Sequence, residues 1–440
     1  MDAFADKLGA IGAWCSSNKY MSSIKNAFQN YMPATISGAV GVLWTNVLVN
    51  ESTGLGAFFS PIMVLEPLNT IFSALNSATI GMITVGVIML ISQEICDWNG
   101  ENTGAYPAVM GFMMLVMVTP LTVDLEGNGL WDGTGDISAI PTSYLGSQGL
   151  FTALIVGILG SECYCWLRKI DALKIKMPDQ VPPGVARAFE VLVPTCINLI
   201  IVGAVGLISQ VLTGYDLNSL IYNYVQAPLG AIMSNSIGAV IVLYIIIMLF
   251  WCVGIHGNNM VSAIKESIFT PLIVENMEVY AETGKASDAP NVLNITMMQI
   301  SAEIGGSGAT LGLIIVILVF SKRADNRTIA TISLVPGLFN INETMTFGIP
   351  LVLNPILDIP FVIAPCVCVT VGYILTVIGF CPKCVVQAPW TTPPIIFGFI
   401  ATGANIMGAI TQIIMIAIST VIYFPFFMAY EKRQESESAA

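Results

Sequence analysis

Residues 229–255 read LGAIMSNSIGAVIVLYIIIMLFWCVGI, 27 positions without one charged side chain. A helix crosses the hydrocarbon core of a bilayer with about 20 predominantly apolar residues, so this run predicts a membrane span. The signal recurs in both directions along the chain. Apolar runs lie at 31–49, 71–95, 106–121, 150–166 and 189–212 before it, and at 309–320, 329–351, 360–380 and 406–428 after it. Of 440 residues, 55% are hydrophobic and 10% charged, where a soluble domain carries about 25% charged residues. Mean hydropathy is +0.79. The 39 Gly and 23 Pro suit helices that bend and pack closely in lipid. The expected fold is an all-α integral membrane protein of about ten transmembrane helices. A cytosolic enzyme, a disordered chain and a nucleic-acid binder are excluded.

Net charge is −12, but the placement of the bases says more than the sum. Lys7, Lys19 and Lys25 precede the first run, and no base follows until Arg168. Bases flank spans on the cytoplasmic side, which predicts a cytoplasmic N-terminus. Four spans later Arg168, Lys169, Lys174 and Lys176 fall on that same side. The base-free segment Val123–Gln148, with Asp124, Glu126, Asp132 and Asp136, falls outside. The second half does not alternate so simply, because Lys322, Arg323 and Arg327 belong inside together with Lys432 and Arg433. Ser262–Ile304 and Gln387–Thr402 are mixed, rich in Gly, Pro and Asn, and too polar to span alone. Two re-entrant hairpins there repair the parity and mark a binding site; extramembrane loops are the alternative. Pro183–Val193 and Asp216–Val225 mix charge with apolar residues, as interfacial amphipathic helices or short loops do. Several of the ten Cys, such as Cys196, Cys366 and Cys368, lie inside apolar runs and read as small hydrophobes. No cleavable signal peptide is expected, since a polar segment precedes the first run.

Three clusters interrupt the apolar background. The only histidine, His256, follows Trp251 and precedes Asn258 and Asn259, with Gly254 and Gly257 near it. An ionisable group at membrane depth is rare and usually functional, and these neighbours form a polar cup suited to a sugar. Glu343 breaks another run, between Asn340, Asn342 and bracketing Gly and Pro. A buried carboxylate must be paired, hydrogen-bonded or neutral. Here it is expected to hold a hydroxyl, and to act as general base when that hydroxyl attacks a phosphoryl group; a helix-packing polar network is the alternative. Gln387-Ala388-Pro389-Trp390 and the two following prolines present a rigid aromatic surface. The CH face of a sugar stacks on such rings, although Trp also anchors helices at the headgroups. A fourth stretch, Glu303-Ile-Gly-Gly306-Ser-Gly-Ala-Thr-Leu-Gly312, offers backbone N–H groups or simply a close helix-packing turn. It lacks the Gly-Lys-Ser/Thr of a P-loop. Cys381-Pro-Lys-Cys384 has no second pair for zinc, and Asp124-x-Glu126-x-Asn128-Gly129 departs from a calcium loop. No cofactor and no metal are expected.

Taken together, Trp251-x-x-Gly-Ile-His256-Gly, Gly305-Gly-Ser-Gly-Ala-Thr-Leu-Gly, Gly337-x-Phe-Asn-Ile-Asn-Glu343, Phe347-Gly-Ile-Pro-x-x-x-Asn-Pro355 and Ala388-Pro-Trp-Thr resemble one family. It is the lactose/cellobiose (chitobiose-type) IIC permeases of the bacterial phosphotransferase system, and the motifs stand in the family's order. The resemblance implies a homodimer in the bacterial cell membrane. Residues 1–215 would carry the dimer interface, 216–430 would enclose and move a disaccharide, and 431–440 would form a polar cytoplasmic tail. It places the sugar against His256 and Glu343, the candidate catalytic pair. Trp251, Asn258, Asn259, Gly306, Asn340, Asn342, Gln387 and Trp390 are the further candidates for binding it. The family usually has Pro after the motif Glu, where this chain has Thr344. Some relatives carry a fused IIB domain with a phosphorylated Cys. This chain ends ten residues after Tyr430, so a separate cytoplasmic phospho-IIB partner is expected to receive the sugar hydroxyl.

Two other functions compete. A proton- or sodium-coupled sugar symporter would use His256 or Glu343 as a proton relay. A sugar sensor without transport lacks an output domain.

Overall fold

Each of the ten apolar runs folds into helix, though not one run to one straight helix. A computed structural model describes residues 17–51, 55–57, 59–101, 103–124, 136–178, 180–349 and 351–439, with residues 10 and 14. Lys7 and the calcium-loop-like residues 125–135 lie outside the described residues. The chain opens with α1 (Lys19–Leu43), which runs into a π-helical turn at Trp44–Leu48. There follow α2 (Asn69–Thr79), α3 (Ile83–Trp98) and α4 (Tyr106–Val118). A short ribbon of β1 (Thr122–Asp124) and β2 (Asp136–Ser138) pairs antiparallel, with Val123 opposite Ile137. Next come α5 (Leu150–Arg168), α6 (Pro183–Thr213), α7 (Leu217–Ile221) and α8 (Ala227–Met233). Among the described residues five helices are long and apolar enough to cross a membrane.

The longest run is not straight. Its helices, 217–233 and α9 (Ile237–Cys252), meet at 82°. The break falls at Ser234–Ser236, and Ser236 Oγ accepts the Ala239 N–H at 3.4 Å as the N-cap of α9. Segment 183–193 is the start of continuous α6, not a separate element.

The helices gather in two compact units that interleave in sequence. One contains residues 18–35 and 77–230; the other contains 36–76 and 231–440, with 1–17. In this stretch of the chain the two units meet in sequence at 230/231.

In the first unit α3 buries Ile83, Val87, Ile88, Ile91 and Ile95, one face of a 3.6-residue repeat. Gly111 of α4 lets the backbones touch: a Cβ there would lie 2.8 Å from the Ile88 carbonyl. Small residues give such contacts in lipid, where apolar burial alone does not drive helices together. Arg168 is buried at the end of α5 and pairs with Glu101 (3.0 Å) and Glu190 (3.3 Å).

The second unit continues from α9 with α10 (Gly257–Thr283), α11 (Ile295–Ala302), α12 (Leu311–Phe320) and α13 (Ala324–Leu338). Then come α14 (Glu343–Gly348), α15 (Asp358–Val377), α16 (Ile396–Ala401) and α17 (Ile406–Ala439). Much of the expected first hairpin is one continuous 27-residue helix, α10; the departure from helix is confined to short α11 and its flanks. The second hairpin is an extended arm that returns through α16, closed by the Val385 and Val386 N–H groups on the Ala401 carbonyl (2.8 and 3.1 Å). Asn276 of α10 holds the roots of both, donating to the Asn291 and Cys384 carbonyls at 2.8 Å each. Cys381 and Cys384 are buried beside that root, and no group of three or more metal-ligating side chains forms among the described residues.

Two contacts fix this unit. Gly312 of α12 sits against α17, where a Cβ would lie 2.6 Å from the Ser419 backbone. Lys265 of α10 pairs with Glu303 beyond α11, and Tyr244 of α9 donates to the same carboxylate at 3.1 Å. We expect Gly312→Val to cost about 1–3 kcal/mol through overpacking, read as a lower Tm in detergent. Lys265→Met leaves Glu303 buried without its cation and is expected to cost about 3–5 kcal/mol. The double variant Lys265→Met/Glu303→Gln should recover much of that loss; no recovery would mean the pair does not act as a pair.

Candidate functional site

The site lies within the second unit and starts where α9 ends. Gly254 adopts φ 82°, a left-handed turn that glycine makes without strain. The chain then enters α10, whose N-cap is His256: its Nδ1 accepts the Asn259 N–H at 3.3 Å. Gly257 is required beside it, because a Cβ would lie 2.0 Å from the Ile247 carbonyl oxygen. Trp251 lies on the last turn of α9, 1% exposed, with its ring 4.5 Å from the imidazole and 6.4 Å from Phe347. An imidazole accepting at Nδ1 carries its proton at Nε2 when neutral. That Nε2 faces Glu343 Oε1 at 3.5 Å.

Glu343 owes its position to the turn between α13 and α14. Asn340 takes φ 60°, a conformation Asn tolerates better than most residues. Its side chain accepts the Gly305 N–H at 2.9 Å and donates to the carbonyls of Trp390 (2.7 Å) and Thr392 (3.1 Å). One amide thus joins the glycine-rich turn to the tip of the second hairpin. Asn342 donates to the Ser307 carbonyl (3.2 Å) and to Thr346 Oγ1 (3.0 Å). Asn258 donates to Ser307 Oγ at 3.0 Å. Gly306, at φ 93°, passes so close that a Cβ would lie 2.8 Å from the Asn340 carbonyl. The glycine-rich stretch therefore serves as a close-packed turn onto which three asparagines converge.

The structure joins His256, Glu343, Trp251, Asn258, Gly306, Asn340, Asn342 and Trp390 through contacts with one another or with that turn. Two candidates stand apart. Asn259 is exposed and contributes its backbone, the N–H to His256 and the carbonyl to Ser262. No hydrogen bond among the described residues joins Gln387 to the others. The site is half open: the Glu343 side chain is 45% and Trp390 43% exposed. Trp251 Nε1, Asn258 Oδ1 and Gln387 Oε1 are buried with no hydrogen-bond partner among the described residues. Buried polar atoms are rarely left so, and these sit on residues singled out from sequence. Chemically, the arrangement offers a carboxylate oriented by an imidazole, an open indole face and amide groups for hydroxyls.

Sequence reasoning missed Ser307 as the anchor of Asn258 and Asn342, and missed the Lys265–Glu303 pair altogether. One signal was available. Lys265 lies seven residues after Asn258, two helical turns along the same face, and the two grip opposite ends of the segment 303–307.

Comparison with known proteins places this architecture. The sequence profile of the family described as "Phosphotransferase system, EIIC" matches residues 25–365. The oligo-beta-mannoside-specific EIIC component of the phosphotransferase system (PTS) of Bacillus subtilis (strain 168) is 32% identical over 431 residues, 96% of this chain and 92% of that protein. The PTS cellobiose-specific EIIC component of Lactococcus lactis subsp. lactis (strain IL1403) is 30% identical over 487 residues, 97% of each chain. Among solved structures, the transporter ChbC, the IIC component of the N,N'-diacetylchitobiose-specific phosphotransferase system, superposes with a TM-score of 0.89. It is 26% identical and is covered over 98% of both chains. The profile match over most of the chain, the two full-length relatives and the shared fold lead to one conclusion: this protein belongs to the EIIC family of the phosphotransferase system, the integral membrane permeases for sugars.

Proposed function

We propose that the chain binds an external disaccharide of the cellobiose, chitobiose or lactose type, carries it inward by alternating access and presents a hydroxyl to a separate phosphorylated IIB protein. The observation that carries this reading is the pairing of Glu343 with His256 beside an exposed indole, Trp390, which Asn340 ties to the glycine-rich turn. With His256 Nε2–H directed at one carboxylate oxygen, Glu343 keeps lone pairs for a sugar hydroxyl. In the transfer step the hydroxyl oxygen attacks phosphorus in line, the bond from phosphorus to the IIB cysteine sulfur breaks, and the hydroxyl proton passes to Glu343. Trp390 stacks on the apolar sugar face. Asn258, Gln387 and the Trp251 indole N–H, with their unpartnered atoms, read the remaining hydroxyls.

We assign the sugar site and its movement to residues 216–430, the dimer interface to 1–215 and a cytoplasmic tail to 431–440. α6 leaves Ile200, Leu207, Val211 and Leu212 exposed, a surface that suits lipid or a second copy. The N-terminus is placed in the cytoplasm, on the side of Arg168 and Lys169.

Glu343→Gln is expected to fold and reach the membrane but to lose about 10²-fold or more of sugar phosphorylation, the scale of removing a general base. Wild-type uptake at equal expression would remove Glu343 from this role. Trp390→Ala should weaken disaccharide binding by about 1–3 kcal/mol, read by titration of purified protein. The mechanism itself is tested in vesicles with radiolabelled cellobiose, chitobiose and lactose, with and without phosphorylated IIB. Phosphorylated sugar formed only with IIB is the expected result. Free sugar accumulating without IIB, and lost on adding an uncoupler, would instead establish a symporter.

A further inference from the structure

Beyond the side chains that face the sugar, one fully buried residue of α17 touches both re-entrant segments. Gln412 is 1% exposed. Its Oε1 accepts two N–H groups, from Ile395 at 2.7 Å and Gly398 at 2.6 Å, and its Nε2 donates to the Ile300 carbonyl at 3.2 Å. These partners belong to helix ends that cannot cap themselves. Ile395 stands at the N-cap of α16, a position where Ser, Thr, Asp or Asn would supply an acceptor for the free N–H groups of the first turn. Ile has none, and Gln412 supplies it from another helix. The Ile300 carbonyl lies in the last turn of α11, where carbonyls lack an intrahelical donor. The same side chain supplies that donor.

The backbone at Ile395 makes this clamp consequential. Ile395 adopts φ 76° and ψ −53°, the region of a strained γ-turn and an outlier for a β-branched residue. Pro393 and Pro394 precede it; they fix their own φ and bring no N–H. After Thr392, whose carbonyl Asn340 holds, the next backbone N–H along the chain is that of Ile395, in a conformation it would not hold alone, and Gln412 accepts it. Strain persists only where surrounding contacts over-determine it. Here the determining contact is Gln412.

We propose that Gln412 is a positioning residue for sugar recognition. It caps both re-entrant half-helices at once and so fixes Trp390, in the arm that leads into one, relative to the Gly305–Ser307 turn that follows the other. This rests on the sugar-site reading above. Gln412 touches no sugar; it sets where the sugar-facing groups stand.

The test is IIB-coupled phosphorylation of cellobiose, chitobiose and lactose in vesicles, with KM and maximal rate measured separately. Gln412→Leu is expected to raise KM about tenfold or more, with the maximal rate per folded transporter within about threefold. A merely structural role would lower the number of active transporters and leave KM unchanged. Ile395→Gly alone should keep KM near wild type, because glycine takes φ above zero freely. Combined with Gln412→Leu, it should recover several-fold of the lost KM by removing the strain the clamp opposes. If Gln412→Leu fails to reach the membrane, Gln412→Asn, one carbon shorter, should raise KM in the same direction. Wild-type KM in the Gln412 variants, or no recovery with Ile395→Gly, overturns the proposal. Glu343→Gln serves as the control. If it is inactive while Gln412→Leu keeps wild-type KM, the inference alone fails; if it is fully active, the site reading falls and takes this role with it.

Discussion

Backbone at membrane depth has no water to bind, so every N–H and C=O that leaves the helical ladder must find a partner inside the protein. Leaving one unpaired costs about 2–7 kcal/mol. Within one compact unit this chain leaves the ladder at 303–310 and in the arm 384–395, among other places, and there it meets the constraint with side chains. Asn340 takes the Gly305 N–H, Thr310 Oγ1 donates to the Gly305 carbonyl (2.6 Å) and Tyr423 to the Gly308 carbonyl (2.7 Å). Ser419 covers the Ala309 carbonyl (2.7 Å), and Asn276 covers that of Cys384. Apart from Thr310, these partners come from outside the segment they hold. These non-helical stretches are thus anchored backbone rather than loose loops.

The candidate site follows from that arrangement. A backbone held from behind by side chains leaves its front free for a ligand, and the residues that do the holding are brought together as a consequence. Asn340 illustrates this: its amide makes three contacts with backbone and so sets Trp390 against the glycine-rich turn. Glu343 is the opposite case. It is pinned through its neighbours and by His256, but nearly half its side chain stays open. A carboxylate fully satisfied by protein would be more stable and useless to a hydroxyl.

What the sequence reveals and what it hides divide along the same line. Apolar runs, the lone His256, the interrupting Glu343 and the Trp390 turn are local signals, legible because they contrast with their surroundings. Partner choice is not local. Lys265 finds Glu303 38 residues away, and Gln412 finds Ile300 112 residues away; no spacing rule along one helix selects such pairs. The 82° bend inside 229–255 is hidden for a related reason. Its marker, Ser-Asn-Ser, is tolerated in a straight span; what marks the break is non-local, with the Ser234 carbonyl held by the Leu293 N–H and the Asn235 carbonyl by Tyr373. Asn259, placed in the cup by its adjacency to His256, is exposed and meets His256 through its backbone N–H.

Thr344, where the resemblance leads one to expect Pro, can be judged on the same physical grounds. A Pro there would fix φ and remove an N–H that has no intrahelical acceptor in a first turn. Thr restores both freedoms, so something else must hold the start of α14. Asn342 does so through three hydrogen bonds: its amide reaches the Ser307 carbonyl and Thr346 Oγ1, and its own carbonyl receives the Thr346 N–H at 2.8 Å. The turn is therefore fixed from its flanks instead of from within. Glu343, lying between Asn342 and Thr344, keeps its line to His256 because the residues on which that line depends are anchored to the glycine-rich turn and not to the identity of residue 344.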